Sequence, residues 1–369
     1  MRVILIRSNL KDAISAVEKL TEDNLNLPIL KNILFEAQDN KIKLTATNLE
    51  AAITYSIPGK VIEEGKISVP ANIISGIVNN IQTERLNLEK KGNKVEIKTD
   101  TYEASIQGTG AEEFPITPKI KDRSNYIEIK GGVLKDCIGR AMVASQFSDL
   151  RPELNSVFIN FLIDNIKFVT TDSFRLAEKT ISDDQFNTNH KNVFNFLLPL
   201  KTAQDILRVI KEGDIFKIYS DDNQILFKTD QVEILSRLID GNFPEYEAII
   251  PKKFSTEIIV GRQEFLSALK LAGVLGSKSS EVRFVVKENK KILEINSSDQ
   301  AIGENKYLLP AKIQGRAEEI IFNWRYITDA LKILTSEEIF FGINGENEPA
   351  EIKAAGDNSY VYILKPITA

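Results

Sequence analysis

The sequence predicts an α+β fold made of three tandem copies of one strand-rich domain, with about eight strands and two helices in each copy. One stretch of sequence occurs three times. It reads KIKLTATNLEAAITY from Lys41, NIKFVTTDSFRLAEKT from Asn165 and KILEINSSDQAIGENKY from Lys291, so the steps are 124 and 126 residues. The same order of alternating and helical apolar spacing surrounds each occurrence. Solenoid repeats are only ~20–50 residues long, so units of this length are expected to bury cores of their own.

Each copy begins with a strand that leads into an amphipathic helix, in residues 3–20, 126–144 and 256–275. In the first of these helices, Leu10, Ile14 and Val17 form the apolar stripe. Strands separated by short turns follow in every copy, because apolar residues alternate with polar ones. We predict these strands at 30–37, 41–46 and 51–57, at 154–161, 165–170 and 176–181, and at 282–287, 291–296 and 303–309.

A short strand then leads into a second helix, in residues 67–81, 196–210 and 320–334. Three strands close each copy, within 85–107, 215–237 and 339–364. The pairs Phe114-Pro115 and Phe243-Pro244 mark the ends of the first two copies, since proline favours an extended, stiff linker. These features predict domains at 1–121, 126–248 and 254–369.

The composition restricts the class of protein. Hydrophobic residues make up 43% of the chain and charged residues 27%, as in soluble globular proteins. No apolar run approaches the ~18 residues of a membrane span, and the four apolar residues between Arg2 and Arg7 are too few for a signal peptide. The single cysteine, Cys137, excludes an internal disulfide and fits a reducing compartment. We therefore expect a cytoplasmic protein.

Motifs for catalysis are scarce. The sequence has no phosphate-binding GxxxxGK[ST] loop, no GxGxxG before a helix, no HExxH and no cysteine pair for zinc. The only histidine, His190, is expected in a polar loop, and Cys137 has helical spacing that predicts a buried thiol. The acidic pairs at 183–184 and 221–222 are explained by turn formation, although a hydrolase that uses turn carboxylates remains an alternative. The sequence favours a protein that is not an enzyme and that needs no metal or cofactor.

Positive charge is concentrated on the predicted helices. The six helices, taken as 7–20, 71–81, 133–144, 201–211, 262–276 and 324–334, together carry a net charge of +6, whereas the whole chain carries −5. Solvated helix faces commonly carry lysine and arginine, so this bias alone has an ordinary explanation. If the three copies place their helices on one side, however, the cations form a surface that suits a phosphate backbone.

The order and spacing of several motifs resemble those of a known family, the bacterial DNA polymerase III β subunits, which are replicative sliding clamps. The resemblance covers the whole chain. Its motifs are Leu27-Pro28-Ile29-Leu30, Thr45-Ala46-Thr47-Asn48-Leu49-Glu50, Ser68-Val69-Pro70-Ala71, Leu154-Asn155-Ser156-Val157, Thr171-Asp172-Ser173-Phe174-Arg175-Leu176-Ala177, Asp240-Gly241-Asn242-Phe243-Pro244-Glu245-Tyr246, and Tyr360-Val361-Tyr362 through Pro366-Ile367.

The resemblance implies a non-catalytic processivity clamp. Two chains would form a head-to-tail homodimer, a closed ring around duplex DNA that binds without regard to sequence. The replicative polymerase, the clamp loader and repair proteins would dock through short linear motifs in a cleft between the second and third domains. By position, this cleft includes Leu154, Thr171, Phe174, Arg175, Leu176, Pro244, Ile249, Asn323, Tyr326, Ile363, Pro366 and Ile367.

Two further sets of residues follow from the helix charges and from the implied ring. The DNA-facing cations are expected to be Arg7, Lys11, Lys135, Arg140, Arg151, Lys201, Arg208, Lys211, Arg325 and Lys332. The dimer contact is expected to join the first domain of one chain to the third domain of its partner, through Ile73, Ile74 and Ile106 on one side and Val274 and Leu275 on the other. Core packing also explains each of these apolar residues.

Some positions depart from the family pattern. The family turn usually reads Thr-Asp-Gly-His-Arg-Leu, and Ser173 and Phe174 replace its glycine and histidine, which predicts a more apolar cleft. Lys365 stands where methionine is frequent, so we expect a preference for acidic peptides, and Ala248 stands where a larger, often basic residue is usual. An alternative function from another class is a tandem-domain scaffold that binds peptides but does not encircle DNA.

Overall fold

The computed structural model describes residues 1–148, 150–275, 280–287 and 291–368. Asp149, Gly276 at the predicted end of the fifth helix and the terminal Ala369 are among the residues outside these ranges.

The first third of the chain contains nine strands and two helices. They are β1 (Arg2–Ile6), α1 (Arg7–Val17), β2 (Asn32–Gln38), β3 (Lys41–Thr47), β4 (Ala51–Pro58), β5 (Lys60–Glu63), β6 (Gly65–Pro70), α2 (Ala71–Asn80), β7 (Arg85–Lys91), β8 (Lys94–Lys98) and β9 (Glu103–Gln107). The predicted apolar stripe of α1 is buried, together with Ala13.

The central third repeats this order of elements. They are β10 (Ile127–Lys130), α3 (Gly131–Ala141), β11 (Ser156–Phe161), β12 (Asn165–Thr171), β13 (Arg175–Ser182), β14 (Phe186–Thr188), β15 (Phe194–Pro199), α4 (Leu200–Val209), β16 (Ile215–Ser220), β17 (Gln224–Lys228) and β18 (Val232–Arg237).

The last third has eight strands and two helices among its described residues. They are β19 (Thr256–Gly261), α5 (Arg262–Val274), β20 (Glu281–Val286), β21 (Ile292–Asp299), β22 (Gly303–Gly315), β23 (Glu318–Asn323), α6 (Trp324–Ile333), β24 (Glu338–Ile343), β25 (Ala350–Ala354) and β26 (Tyr360–Leu364). The prediction of three strand-rich copies with two helices each is confirmed. The prediction missed β5 and β14, which are too short to show a periodic pattern.

The chain divides into two compact units whose borders do not follow the copies. The first unit comprises Met1–Lys135, Asp184–Lys191 and Lys201–Leu238, and the second comprises Asp136–Asp183, Asn192–Leu200 and the chain from Ile239 onward. The central copy therefore contributes strands to both units.

The first unit contains two antiparallel sheets. One has five strands in the order β5-β1-β7-β8-β9, and the other has nine in the order β14-β10-β16-β17-β18-β4-β3-β2-β6. Strands of the first and central copies meet where β18 pairs with β4, with Leu235 opposite Ala52.

The second unit contains one sheet of twelve strands, in the order β15-β11-β12-β13-β26-β25-β24-β19-β22-β21-β20-β23. Strands of the central and last copies meet where β13 pairs with β26, with Leu176 opposite Ile363. Both units thus join neighbouring copies by the same kind of strand pair.

The turn between β12 and β13 is fixed by two side chains. The Thr171 hydroxyl donates to the Arg175 carbonyl at 2.7 Å and accepts from the Ser173 N–H at 3.1 Å. The Asp172 carboxylate accepts from the N–H groups of Phe174 and Arg175, at 3.0 and 2.9 Å. These bonds hold Ser173 in the left-handed region, with φ of 77°.

The turn between β3 and β4 has the same hydrogen bonds. The Thr47 hydroxyl donates to the Ala51 carbonyl at 2.8 Å and accepts from the Leu49 N–H at 3.1 Å. The Asn48 side-chain oxygen accepts from Glu50 and Ala51, at 3.1 and 2.8 Å. Leu49 has a φ of 74°, a conformation that bulky residues rarely adopt, so the sequence repeat is also a repeat of backbone geometry.

Candidate functional site

The predicted cleft residues centre on the pair of strands β13 and β26. Leu176 lies opposite Ile363, and both side chains are buried, with 1% and 2% of their surface exposed. The Lys365 N–H extends the pairing by donating to the Phe174 carbonyl at 2.8 Å. The last copy thus completes an apolar surface that the central copy begins.

Arg175 joins three elements of the second unit. Its Nε donates to Asp172 and its Nη1 to Asp329 of α6, both at 2.9 Å, and its guanidinium lies 4.4 Å from the centre of the Tyr326 ring. Burial alone would lower the pKa of Arg175, but the Tyr362 hydroxyl, Asp329 and Asp172 together raise that pKa above its ordinary value. The residue is therefore a fixed cation that holds the turn between β12 and β13 against α6.

The exposed part of the predicted cleft is apolar. Phe174 is 60% exposed and Ile249 is 46% exposed, although large apolar side chains are usually covered. The Ile367 N–H donates to the Ile321 carbonyl at 2.8 Å, which fixes the end of the chain against β23. Exposed apolar groups beside a buried apolar floor form a surface that suits a short extended peptide.

The twelve predicted cleft residues differ in their exposure. Leu154, Thr171, Leu176 and Ile363 are buried, Arg175, Pro244, Asn323, Tyr326, Pro366 and Ile367 are half-buried, and Phe174 and Ile249 are exposed. Strand pairing and the Arg175 contacts bring Phe174, Arg175, Leu176, Tyr326 and Ile363 together, and Asn323 caps the α6 helix that carries Tyr326.

The sequence analysis missed two residues that hold Arg175, namely Asp329 and Tyr362. Asp329 lies 154 positions away in the chain, and no local pattern connects it with Arg175. The Tyr362 hydroxyl donates to the Tyr326 carbonyl at 3.0 Å, which links β26 to α6.

Most of the predicted DNA-facing cations have acidic partners within their own chain. The N···O distances are 2.8 Å for Lys201–Glu22, 3.6 Å for Lys211–Asp12, 3.9 Å for Lys135–Glu212, 3.2 Å for Arg208–Asp205, 2.6 Å for Arg140–Asp136, 3.1 Å for Arg151–Glu153 and 3.6 Å for Lys332–Asp329. These carboxylates compete with any phosphate for the same cations.

The remaining three cations differ from this group. Arg7 donates from Nε to the Val78 carbonyl at 3.1 Å, and Arg325 lies over the Trp324 ring at 5.6 Å. Lys11 is exposed and has no acidic partner among the residues that the structure describes. Lys11 and Arg325 are thus the cations most readily available to an external anion.

The five predicted dimer residues fall into two groups. Ile73 and Val274 are 47% and 69% exposed, and Leu275 is half-buried, so these side chains present apolar surface. Ile74 and Ile106 are only 1% and 5% exposed, because they already pack within their own chain. Fewer of the five residues are therefore exposed for a dimer contact than the sequence analysis predicted.

Each unit has an apolar feature that the sequence analysis missed. In the second unit, Leu271 of α5 is 53% exposed and lies one turn before Val274. In the first unit, a groove of about 660 Å³ lies between α2 and the turn before β9, with Ile73, Ile77 and Tyr102 in its lining.

We searched the described residues for metal ligands, a reactive thiol and membrane-spanning helices. Within residues 1–148, 150–275, 280–287 and 291–368, no three His, Cys, Asp or Glu side chains lie together as metal ligands would. The buried thiol predicted at Cys137 is confirmed, and burial raises its pKa to about 12, which disfavours the reactive thiolate. Over the same residues, no helix has the length and apolar character needed to cross a bilayer.

Three family models match the chain one after another: the DNA polymerase III beta subunit N-terminal domain at residues 1–118, its central domain at 128–245 and its C-terminal domain at 247–368. With these matches, the triplicated architecture is that of a DNA clamp.

Similar proteins are known over the full length. The beta sliding clamp of Bacillus subtilis is 27% identical and that of Synechococcus elongatus 24%, and both alignments cover 100% of this chain and 99% of the relative. The crystal structure of the Bacillus subtilis DNA polymerase sliding clamp matches with a TM-score of 0.94 at 26% identity, over 100% of this chain and 99% of that one.

The chain belongs to the DNA polymerase III beta subunit family. It is accordingly a sliding clamp that gives a DNA polymerase processivity, and it is a non-catalytic subunit. The alternative of a peptide-binding scaffold without DNA is not favoured.

Proposed function

We propose that two copies of this chain form a closed head-to-tail ring around duplex DNA, and that the cleft at β13 and β26 tethers partner proteins. The partners are the replicative polymerase, the clamp loader and repair proteins, each bound through a short linear motif. The observation that carries the proposal is the full-length match to beta sliding clamps.

Exposed apolar and backbone groups support the ring. β9 is the last strand of the five-stranded sheet, so one side of its backbone has no strand partner among the described residues and can accept a strand of a second copy. Ile73 on α2 and Leu271 and Val274 on α5 supply apolar surface for the same contact. A head-to-tail contact of this kind closes into a ring when its rotation is suitable.

The geometry around Arg175 supports the cleft. A wall held by two carboxylates and an aromatic ring is pre-organised, so docking needs little reordering of the protein. Phe174 and Ile249 then offer apolar contacts, and the exposed Lys365 offers a cation to acidic motif residues.

The domain borders and the location belong to the same proposal. The domains are 1–121, 126–248 and 254–369, and the family matches that end at 118 and 245 support linkers after the two Phe-Pro pairs. A cytoplasmic location agrees with a role in replication and with a single, buried cysteine.

The ion pairs of the helix cations support a loose hold on DNA. Cations that already have carboxylate partners gain less from a phosphate than free cations do. Binding is then weak and independent of sequence, and the ring topology, not affinity, retains the clamp.

Two measurements test the ring. Light scattering at micromolar concentration should give about twice the 41.4 kDa chain mass, and Val274→Asp should lower this value toward the monomer. Clamp assembled by its loader should stay on nicked circular DNA in high salt and be lost when the DNA is linearised. A monomer that persists at tens of micromolar, or equal retention on both DNAs, would contradict the ring.

A separate measurement tests the cleft. The double change Leu176→Ala and Ile367→Ala should weaken docking of a polymerase-derived motif peptide and leave the dimer mass unchanged. Loss of the dimer with docking preserved would count against the assignment of these residues to the cleft.

A further inference from the structure

Because the copies are similar, the strand pair β4–β18, which joins the first and central copies, can be compared with the pair β13–β26, which joins the central and last copies. In the first unit Leu34 lies opposite Thr45, and in the second unit Phe158 lies opposite Val169. The pairs Thr47–Ala52 and Thr171–Leu176 correspond in the same way, as do Leu235 and Ile363 on the joining strands. Side chains on the two sheet faces can therefore be matched position by position.

The face in the second unit is filled by an aromatic cluster. Phe243, of the Phe-Pro pair at the end of the central copy, stacks on Phe158 with ring centres 4.8 Å apart. Tyr246 packs edge-on against both rings, at 6.4 Å from Phe158 and 6.0 Å from Phe243. Its hydroxyl donates to Glu178 at 2.6 Å, so the ring is both packed and hydrogen-bonded.

The matching face in the first unit carries smaller side chains. At equivalent positions, the first unit has Leu34 where the second has Phe158, Thr45 where it has Val169, and Ala52 where it has Leu176. Thr117 and Tyr246 also correspond, because each lies three residues after the phenylalanine of its Phe-Pro pair. A groove of about 490 Å³ remains at this place, within the size range of small-ligand and peptide pockets.

The floor of this groove, which we call the linker groove, is apolar and has a polar corner. Ile120, Leu226 and Leu235 pack together as a buried cluster beneath it. The hydroxyls of Thr45 and Thr54 lie 3.0 Å apart, and Thr54 occupies the position that Glu178 has in the other unit. Like the Tyr246 site in the second unit, the linker groove therefore combines an apolar floor with polar groups that can hydrogen-bond a hydroxyl.

The rim of the linker groove is positively charged. Lys66 is paired with Glu36, and Arg123 lies 4.0 Å from Glu233. Lys43 and Lys119 are exposed and have no acidic partner among the residues that the structure describes. An occupant with carboxylates on either side of its anchor complements this rim.

We propose that the linker groove is a second docking site, and that it takes an acidic, extended peptide of a partner protein through one tyrosine side chain. The ring fills the space that Tyr246 fills in the second unit, and its hydroxyl bonds to Thr45 or Thr54. The site lies wholly within the first unit and is separate from the cleft at β13 and β26. It does not depend on DNA encirclement.

The probe is a fluorescein-labelled, amidated peptide with the sequence Asp-Glu-Tyr-Glu-Asp, titrated by anisotropy into the full-length protein. Replacing its tyrosine with alanine should weaken binding at least tenfold, since the ring supplies the buried contact. Replacing its four acids with lysine should weaken binding further, and Lys43→Ala with Lys119→Ala should weaken the acidic peptide several-fold.

Thr117→Tyr places the chain's own ring in the linker groove and should reduce peptide binding at least tenfold, whereas Thr117→Val, which keeps the size, should not. Ala52→Leu adds bulk to the floor of the groove at a second position and should also reduce peptide binding. Melting curves verify that each variant folds.

The proposal is overturned if Thr117→Tyr binds as well as the unaltered protein, or if the alanine peptide binds equally well. It is also overturned if binding is lost in Leu176→Ala instead, which would assign the peptide to the cleft. Absence of saturable binding up to millimolar protein contradicts it as well.

Discussion

The guanidinium of Arg175 lies 4.4 Å from the ring centre of Tyr326, so a side chain of the central copy rests on a helix of the last copy. Arg175 also reaches Asp329 on that helix and Asp172 in its own turn. One side chain thus fixes the relative positions of the three elements from which the predicted cleft is built.

We predict that Arg175→Lys weakens docking of a polymerase-derived motif peptide about tenfold, or ~1.4 kcal/mol. Lysine keeps the charge but cannot reach two carboxylates and stack on a ring at once. Isothermal calorimetry measures the change, and Arg237→Lys is the matched control, because Arg237 lies in the first unit, is more exposed and pairs with Glu50. Equal effects of the two changes would contradict a special role for Arg175.

We predict that Glu22→Gln strengthens DNA binding by releasing Lys201, which lies 2.8 Å from the carboxylate. The slope of log K against log salt concentration should become steeper by about 1, the change expected for one added phosphate contact. Asp23→Asn is the control: the neighbouring carboxylate is exposed, has no cationic partner among the described residues, and changes the net charge equally. If both variants shift the slope alike, general charge and not the ion pair is responsible.

We predict opposite effects for two glycine changes within helices. A Cβ on Gly273 of α5 would lie 2.6 Å from the Trp324 ring, so Gly273→Ala should destabilise the fold by about 1–3 kcal/mol. A Cβ on Gly139 of α3 meets no atom within 4 Å, so Gly139→Ala should stabilise by about 0.5–1 kcal/mol. Urea unfolding midpoints measure both, and a neutral Gly273→Ala would mean that the ring moves aside without cost.

We predict that Glu294→Gln lowers stability in a pH-dependent way. Hydrogen bonds from Lys287, Asn296 and Lys306 hold the pKa of Glu294 at about 2, below the ordinary value of 4.5. The ionised group therefore stabilises the native state fully above pH 4.5, and this contribution is lost as the pH falls toward 2.

Thermal unfolding at several pH values between 3 and 7 measures that contribution. The difference between Glu294→Gln and the unaltered protein should be largest at neutral pH and should shrink in acid. Glu257→Gln, at an exposed position of β19 without a basic partner among the described residues, is the control. A difference that does not change with pH would show that the glutamine perturbs packing and not charge.

Elements with a local pattern were predictable from the sequence. The repeat at 41, 165 and 291 located three matching strands, and the short turns between the strands were predicted from the alternating pattern. The burial of Cys137 followed from helical spacing and is confirmed. Local hydrogen bonding and amphipathic spacing determine these features within a few residues, so one window of sequence suffices.

Features that depend on distant residues were not predictable. Lys201 was expected to face DNA, but its ion-pair partner Glu22, which lies 179 positions earlier, was not foreseen. The pairing of β4 with β18 could not be predicted either, because an alternating apolar pattern identifies a strand but not its neighbour in the sheet. The exposure of Leu271 depends equally on tertiary packing, because its spacing in α5 reads as ordinary core.

The sharing of the central copy between two sheets has a consequence for how the protein unfolds. If the chain is divided into fragments at the linker after the first copy, β4 and β18 lie in different fragments, and the backbone of β4 is unpaired along that side. A cut after the central copy would likewise separate β26 from β13. The sequence repeats about every 125 residues, but the units that unfold cooperatively are expected to span parts of two repeats. Fragments cut at the borders of the repeats should therefore expose unpaired strand edges and aggregate.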